Sequence, residues 1–259
     1  MMNILMLGDV VGQNGCSYLM DTLPGLRRQY GVDFVVANGE NAAEGNGILP
    51  ASAAQLLDAG VDVITLGNHG LRRREIYPLL EEQRQIIRPA NLHPSAPGVG
   101  YCLYDCPGKP RVAVLNLIGT CYMDFAYHNP FDAADQLLDE LAGQADVILV
   151  DFHAEATSEK LCMGFHLDGR VTAVAGTHTH VQTADERILP GGTGYITDLG
   201  MCGSFNSVLG VKPQLALHRF RTNLPTRFEN DPGFCRLSGV LLQTQGNSST
   251  IYEITRINA

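Results

Sequence analysis

Short apolar runs alternate with helix-like segments along the first two thirds of the chain. Every run has the length of a strand, and none approaches the length of a membrane span. The runs that predict strands lie at residues 4–7, 34–37, 63–66, 86–87, 99–104, 112–117, 147–150 and 171–175. The segments that predict helices lie at residues 16–30, 50–59, 75–83, 133–142 and 158–167. This alternation is typical of an α/β fold with a largely parallel sheet.

The last third of the chain has a different pattern. From residue 188 on, strand-like pieces follow one another without long helices between them, which predicts antiparallel strands or a second sheet. These pieces lie at residues 195–197, 215–220, 237–244 and 251–257. The 259 residues contain no linker-like segment, so we expect a single domain over residues 1–259.

Charge and composition argue against several classes of protein. A net charge of −9 disfavours a broad nucleic-acid surface, which needs a basic face. The hydrophobic content of 45% is ordinary for a globular protein, and we expect no membrane association. The N-terminus runs into a strand without a basic region, which predicts a cytoplasmic protein without a signal peptide. Seven scattered cysteines do not form the pattern of a disulfide framework. The sequence leaves open whether the protein forms a homo-oligomer.

Side chains that could bind a metal follow five of the predicted strands. In an open α/β sheet the ligand site lies beyond the carboxyl ends of the strands. The candidates at these ends are Asp9, Glu40, Asn41, Asn68, His69, His153, His178 and His180. Each one alone has a structural explanation as a cap, a turn residue or a buried, hydrogen-bonded histidine. Their coincidence at one edge of the sheet favours a metal site.

Two of the histidines are two residues apart, in the sequence AGTHTH at residues 175–180. In an extended segment alternate side chains point the same way, so His178 and His180 would present two imidazoles to one side. This spacing suits metal ligands, although polar residues in a loop at a strand end are often only solvated. The basic run at residues 72–74 either steers an anion or is the solvated start of a helix.

The chemistry of the candidate residues narrows the metal. Carboxylate, amide and imidazole groups without cysteine suit iron, manganese, zinc or cobalt. The set is too large for one tetrahedral ion, whereas two ions that share a bridging carboxylate fit it. Two divalent ions bring four positive charges against the two negative charges of Asp9 and Glu40. Such a site would attract an anionic substrate, for example a phosphate ester.

Five motifs together resemble a known family. They are GD (8–9), NGEN (38–41), GNH (67–69), HAEATSEK (153–160) and GTHTHVQTADERIL (176–189). Their order is similar to that of the calcineurin-like metallophosphoesterases, and most closely to the YmdB-like branch, bacterial phosphodiesterases that act on 2',3'-cyclic nucleotides. The resemblance continues through YITDLGMCG (195–203), SVLG (207–210) and LPTRFE (224–229), so it covers nearly the whole chain.

The resemblance implies a fold, a site and a reaction. The fold is a four-layer α/β/β/α sandwich with mixed sheets. Iron is the metal most associated with the branch, with manganese or zinc as substitutes, and the substrate is a small phosphodiester. A hydroxide that bridges the two metals would attack phosphorus, with His69 as general acid. The implied ligands are Asp9, Asn41 and His180 for one ion, Asn68, His153 and His178 for the other, and Glu40 as the bridge.

The chain departs from the wider pattern at three places. The superfamily commonly has a histidine where this chain has Val11, and the branch often has an arginine near the position of Cys16. Branch members often carry an aromatic and an acidic residue soon after GNH, whereas this chain reads Gly70-Leu71-Arg72. None of these positions is an implied ligand. Because the loop at residues 70–74 lies next to His69, we expect it to line the substrate pocket and to decide substrate choice.

Two other interpretations compete with this one. An amidohydrolase on a (β/α)8 barrel also has an HxH motif, but there the motif usually lies on the first strand, and here it comes late. A regulatory or scaffold protein could retain the same metal site for folding alone. Such a protein would need no general acid at His69, which favours an enzyme.

Overall fold

Two mixed β-sheets stack face to face in a computed structural model of the chain, which describes residues 1–124, 126–245 and 250–259. Within these residues, the strands of the first sheet are β1 (Asn3–Val10), β2 (Phe34–Asn38), β3 (Val63–Thr65), β4 (Ile86–Ile87), β11 (Met201–Ser204), β12 (Cys235–Arg236), β13 (Ser238–Thr244) and β14 (Ile251–Asn258). The strands of the second sheet are β5 (Tyr101–Tyr104), β6 (Val112–Ile118), β7 (Val147–His153), β8 (Ala173–Thr177), β9 (Arg187–Ile188) and β10 (Gly194–Ile196).

Helices cover the outer faces of both sheets. They are α1 (Gly12–Tyr30), α2 (Pro50–Asp58), α3 (Tyr77–Glu82), α4 (Pro130–Glu140), α5 (Thr157–His166) and α6 (Pro213–Thr222), with a 3₁₀ turn at Arg74–Ile76. Alternate residues of β1 show how the layers pack, since Leu5 and Leu7 contact the core under α1 and α2, whereas Ile4 and Met6 face the second sheet. A third core lies between the second sheet and helices α4 and α5. The predicted four-layer α/β/β/α sandwich is confirmed.

Strand β1 is the centre of the first sheet and changes neighbours along its length. One edge pairs in parallel with β2. The other edge pairs antiparallel with β13 over residues 3–7 and then in parallel with β11 at Asp9 and Val10. The antiparallel strands β13 and β14 of the last third were predicted, whereas the short β11 and β12 were not. β11 matters for the site because it runs level with Asp9.

One predicted strand is wrong, because residues 215–220 lie in helix α6. Pro213 occupies the first turn, where its missing N–H does no harm, and Asn223 ends the helix in the left-handed conformation with φ 57°. The apolar residues of this segment imitated a strand, yet Leu217 and Phe220 are exposed by 57% and 78%. They lie three residues apart, as on one face of a helix, and that face is not buried.

Among the described residues, none of the helices combines the length and the apolar character that crossing a bilayer requires. Five of the seven cysteines are buried, and the two exposed ones are Cys121 and Cys162. The single domain over residues 1–259 and the cytoplasmic location stay predictions.

Candidate metal centre

All eight candidate residues meet at the carboxyl ends of β1, β2, β3, β7 and β8. Asp9 is the penultimate residue of β1 and His153 is the last residue of β7. The other six follow strand ends: Glu40, Asn41, Asn68, His69, His178 and His180. The parallel strands deliver them to one edge, as the sequence predicted.

The carboxylate of Asp9 is fully buried and only half satisfied. The register of β1 against β2 shifts between Leu7 and Asp9, and this irregularity turns Asp9 toward the second sheet. Its Oδ2 accepts a hydrogen bond from the backbone N–H of His178 at 3.1 Å. Its Oδ1 has no hydrogen-bond partner among the described residues and lies 3.6 Å from His180 Nε2. A buried, unpartnered carboxylate oxygen is the position that a cation would satisfy.

Three ligand atoms from Glu40, His153 and His178 lie within 4.8 Å of one another. His153 Nε2 is 3.4 Å from Glu40 Oε1, 3.1 Å from His178 Nδ1 and 2.9 Å from Asn68 Oδ1. Gly67 makes this approach feasible, because a Cβ there would lie 2.3 Å from the His153 ring and 2.5 Å from Glu40 Oε2. The glycine of the GNH motif is thus required by space.

Hydrogen bonds on the far side of the His178 and His180 rings determine which nitrogen of each neutral ring carries the proton and which is bare, with a free lone pair. His180 Nδ1 is 3.2 Å from the carbonyl of Leu209, which can only accept, so the proton lies on Nδ1. His178 Nε2 is 3.0 Å from Glu155 Oε2, which likewise places the proton on Nε2. His178 Nδ1 and His180 Nε2 therefore aim lone pairs at the buried carboxylates.

His153 is oriented by a chain of buried groups beneath it. Its Nδ1 lies 2.9 Å from Thr177 Oγ1, and this hydroxyl donates to Asp151 Oδ1 at 2.6 Å. Thr177 must then accept the Nδ1 proton, so Nε2 is the nitrogen that faces Glu40 and that can exchange its proton for a cation. Asn38 Nδ2 and the Thr65 hydroxyl also donate to Asp151 Oδ2. Side chains from several neighbouring strands thus fix one ring.

Protons take the place of cations when the site holds no metal. Burial lowers the pKa of His153, but the charge of Glu40 and its hydrogen bond outweigh burial and raise that pKa to about 9. Burial raises the pKa of Glu40, yet the charge of His153 holds it well below its ordinary value. Burial and then the charge of His153 lower the pKa of His178. Burial lowers the pKa of His180, but the charge of Asp9 outweighs burial and raises that pKa. The donor set fits divalent metal ions.

His69 stands beside this cluster rather than inside it. Its Nδ1 is 2.9 Å from Asn41 Oδ1 and 3.1 Å from Glu40 Oε1, and its backbone N–H donates to Glu40 Oε2 at 2.8 Å. The Asn41 amide nitrogen lies 3.2 Å from His180 Nε2. Asn41 thus connects His69 to His180 through the two ends of one amide group.

The two histidines of AGTHTH reach the site for a different reason from the predicted one. Strand β8 ends at Thr177, and His178 and His180 have φ values of 101° and 64°, so the segment is not extended. Thr179 lies between them and donates from its backbone N–H and its hydroxyl to Asp198 Oδ2, at 3.1 and 2.7 Å. Backbone in this region is strained by about 1–3 kcal/mol per residue and persists only when its surroundings hold it.

An open cavity of about 510 Å³ lies over the cluster. Its lining includes Glu40, Asn41, His69, His178 and His180, together with Gly45, Asn46, Glu155, Leu209, Val211, Phe228 and Asn230. Of the two alternatives for the basic run at residues 72–74, the solvated start of a helix is partly confirmed, because Arg74 begins the 3₁₀ turn and Arg72 and Arg74 are exposed. Arg73 donates to the backbone carbonyls of Glu44 and Asn46, and so holds the rim of this cavity. Leu71 and Arg72 line a neighbouring cavity of about 210 Å³ beside Asn68.

A family model described as YmdB-like protein matches residues 5–257. The chain belongs to the YmdB-like family. A relative from Bacillus subtilis (strain 168), named 2',3'-cyclic-nucleotide 2'-phosphodiesterase, is 43% identical over 256 residues, with 99% of this chain and 96% of the relative covered.

Two solved structures of similar proteins agree with this assignment. A Thermus thermophilus protein, described as hypothetical, is 40% identical with a TM-score of 0.92, covering 100% of this chain and 99% of that one. A Mycoplasma pneumoniae protein described as a novel phosphatase is 34% identical with a TM-score of 0.93, covering 100% and 93%. This member of the YmdB-like family is therefore a hydrolase of the phosphodiesterase and phosphatase type.

The sequence analysis missed several residues that support the site. Glu155 and Thr177 belong to the quoted motifs but received no role, and neither did Asp198, Lys160 and Asp151. Lys160 Nζ donates to Asp198 Oδ2 at 2.7 Å, and both side chains are buried. The sequence contains no usable signal for Lys160. A lysine in the first turns of a predicted helix indicates a buried acidic partner only if its face of the helix is known to be buried.

We expect Lys160→Met to destabilise the protein strongly, because it leaves Asp198 as a buried charge without its partner. Removal of one partner of a buried pair lowers the free energy of unfolding by about 3–5 kcal/mol. The measurement is denaturant unfolding of the metal-free protein. The control is Lys212→Met, which breaks a 2.7 Å pair with Glu229 on the surface and should change stability little. Equal effects of the two variants would contradict the supporting role of Lys160.

Proposed function

We propose that the chain hydrolyses phosphodiesters, 2',3'-cyclic nucleotides among them, at a centre of two divalent metal ions. The observation that carries this proposal is the convergence of bare histidine nitrogens on two buried carboxylates, with Asp9 Oδ1 unpartnered among the described residues. The 43% identity to a protein named 2',3'-cyclic-nucleotide 2'-phosphodiesterase supports the substrate class.

In this proposal seven residues hold the metals. Asp9, Asn41 and His180 bind one ion, Asn68, His153 and His178 bind the other, and Glu40 bridges them. The distances support this division, because His180 lies beside both Asp9 and Asn41, and His153 contacts both Asn68 and His178. Oxygen and nitrogen donors suit iron, and also manganese or zinc, and we propose iron.

The bound ions would supply a hydroxide at neutral pH and positive charge for the phosphoryl oxygens. The residues of the chain do the rest. Asp151 and Thr177 hold the His153 ring, and Glu155 holds His178, so that neither ring turns when the substrate arrives. The open cavity admits a small phosphodiester beside His69.

His69 is proposed as the general acid. His69 Nδ1 faces two acceptors, Asn41 Oδ1 at 2.9 Å and Glu40 Oε1 at 3.1 Å, so Nδ1 carries a proton that fixes the ring. As general acid the ring would carry its second proton on Nε2, which has no partner among the described residues. Nε2 can therefore hand that proton to the leaving oxygen of the ribose. We place the reaction in the cytoplasm, with a small phosphodiester as partner and oligomeric state open.

The first test compares metal content and hydrolysis in the wild type and His178→Ala. We expect about two metal ions per chain after reconstitution, by mass spectrometry. We also expect turnover of bis-p-nitrophenyl phosphate and 2',3'-cyclic AMP. His178→Ala should lose metal and activity together, because it removes a ligand. Fewer than about one ion in the wild type, with no turnover, would overturn the proposal.

His69→Ala should lower kcat by about 10²–10⁴-fold while the metal content stays at the wild-type value, because His69 donates a proton and is not a ligand. The checks are steady-state kinetics and mass spectrometry on the same preparation. A parallel fall in metal content would make His69 a ligand. With bis-p-nitrophenyl phosphate, whose leaving group needs no proton, we expect a smaller loss than with the cyclic nucleotide.

Binding of Mn²⁺ to the metal-free protein at pH 7 should release protons. Since the pKa of His153 is raised to about 9 in the metal-free site, this ring is protonated below that pH and must lose its proton to bind metal. Affinity should thus rise with pH, about tenfold per unit for one displaced proton. Calorimetry in two buffers of different ionisation enthalpy counts the protons.

The control for this count is His166→Ala, which removes a surface histidine paired with Asp135 and should leave it unchanged. Binding without proton release at pH 7 would show that His153 is not among the ligands.

A further inference from the structure

A second cavity of about 370 Å³ adjoins the one over the metal centre and shares His180 and Leu209 with it. Its other walls come from β11 to β14 and the loop after His180, with Phe205, Arg236 and Arg256 among the lining residues. The position follows from the sheet. Arg236 pairs with Gly203 on β11, two residues beyond Met201, which pairs with Asp9. Strand spacings place the Cα atoms of Arg236 and Asp9 on the order of 10 Å apart.

Arg236 carries a charge that no protein group uses among the described residues. Its guanidinium lies 3.7 Å from the centre of the half-exposed Phe205 ring. Within the same part of the chain it has neither a carboxylate within 4.0 Å nor a side-chain hydrogen bond. In a chain of net charge −9, an unpaired arginine inside a cavity is conspicuous.

The other charged and amide side chains around this cavity already have a protein partner. Arg256 donates to Glu186 at 2.8 Å, and Asn258 donates to the side-chain oxygen of Gln182 at 2.7 Å. Gln182 itself donates to the backbone of Gly239, and Ser207 donates to the backbone of Ser204. Arg236 is therefore the group left to meet a ligand, and its charge selects an anion.

We propose that Arg236 binds a second phosphate group of the substrate, so that the preferred substrates are short oligonucleotides rather than mononucleotides. This inference rests on the proposed phosphodiesterase function. The scissile phosphodiester lies at the metal centre, and a neighbouring phosphate lies in the second cavity. The planar guanidinium suits a phosphate with two parallel N–H···O bonds, and the Phe205 ring holds its plane.

The charge of the whole chain limits the length of the substrate. A single unpaired arginine in the second cavity binds one extra phosphate, whereas a long strand would need a basic track. The second cavity thus extends the site by about one nucleotide unit. This is consistent with the net charge of −9, which disfavours a broad nucleic-acid surface.

The test compares 2',3'-cyclic AMP with the dinucleotide ApA that ends in a 2',3'-cyclic phosphate, which carries one more phosphate. We expect a lower KM for the dinucleotide in the wild type. Arg236→Gln should raise that KM about 10–100-fold, the loss of hydrogen bonds to a charged group, with kcat and the KM for cyclic AMP unchanged. Arg236→Lys keeps the charge without the planar fork and should fall between. The control is Arg219→Gln on the exposed face of α6.

Binding of adenosine 3',5'-bisphosphate and of AMP, by calorimetry on the metal-loaded protein, tests the same point without turnover. We expect tighter binding of the bisphosphate, and Arg236→Gln should remove that difference. Equal binding of the two ligands by the wild type overturns the inference even if both cyclic substrates are hydrolysed. Equal losses on both substrates in Arg236→Gln, with a lower Tm, would show that Arg236 only packs on Phe205. Absence of all turnover would instead overturn the proposed function.

Discussion

The structure depends on an electrostatic conflict at the carboxyl edge of its sheets. Two buried carboxylates and three ring nitrogens converge there, and the fold leaves one oxygen of Asp9 without a partner among the described residues. Water cannot relieve this conflict at Asp9, because its side chain is fully buried. Protons can resolve this conflict, since the charges of Glu40 and Asp9 raise the pKa values of His153 and His180, and in the proposed function cations would take their place. Stability and metal binding would then be coupled.

Two buried acids in or just after strands of the second sheet hold the site in this arrangement through hydrogen bonds. Asp151 fixes His153 through Thr177, and Asp198 fixes the loop of His178 and His180 through Thr179. These two acids take no direct part in the proposed reaction. Asp198 has its compensating charge in Lys160, whereas Asp151 has only hydroxyl and amide donors, and burial raises its pKa to about 6. The two supporting acids thus differ in their partners as well as in their place.

The sequence predicts the edge of the sheet well and the loops poorly. Polar residues after apolar runs located all eight candidates, because parallel strands end at one edge. The extended conformation assumed for His178 and His180 is wrong, since left-handed φ values depend on Asp198, which lies far along the chain. Residues 215–220 were predicted as a strand because the sequence does not show whether an apolar residue is exposed or buried. The role of Arg73 could not be predicted either, because its partners are backbone carbonyls, which any residue carries.

In the proposed function, chemistry and substrate choice reside in different parts of this fold. The proposed ligands stand on strand ends that are buried on both sides, where a substitution disturbs the cores and the metal together. Part of the walls of the two cavities comes from the segments around residues 44–47 and 205–236, whose side chains are largely exposed. A substitution in these walls changes contacts with a ligand and leaves the strand ends in place. We therefore expect substitutions at Phe205 or Arg236, or at Leu71 in the cavity beside Asn68, to change the substrate without rebuilding the proposed centre.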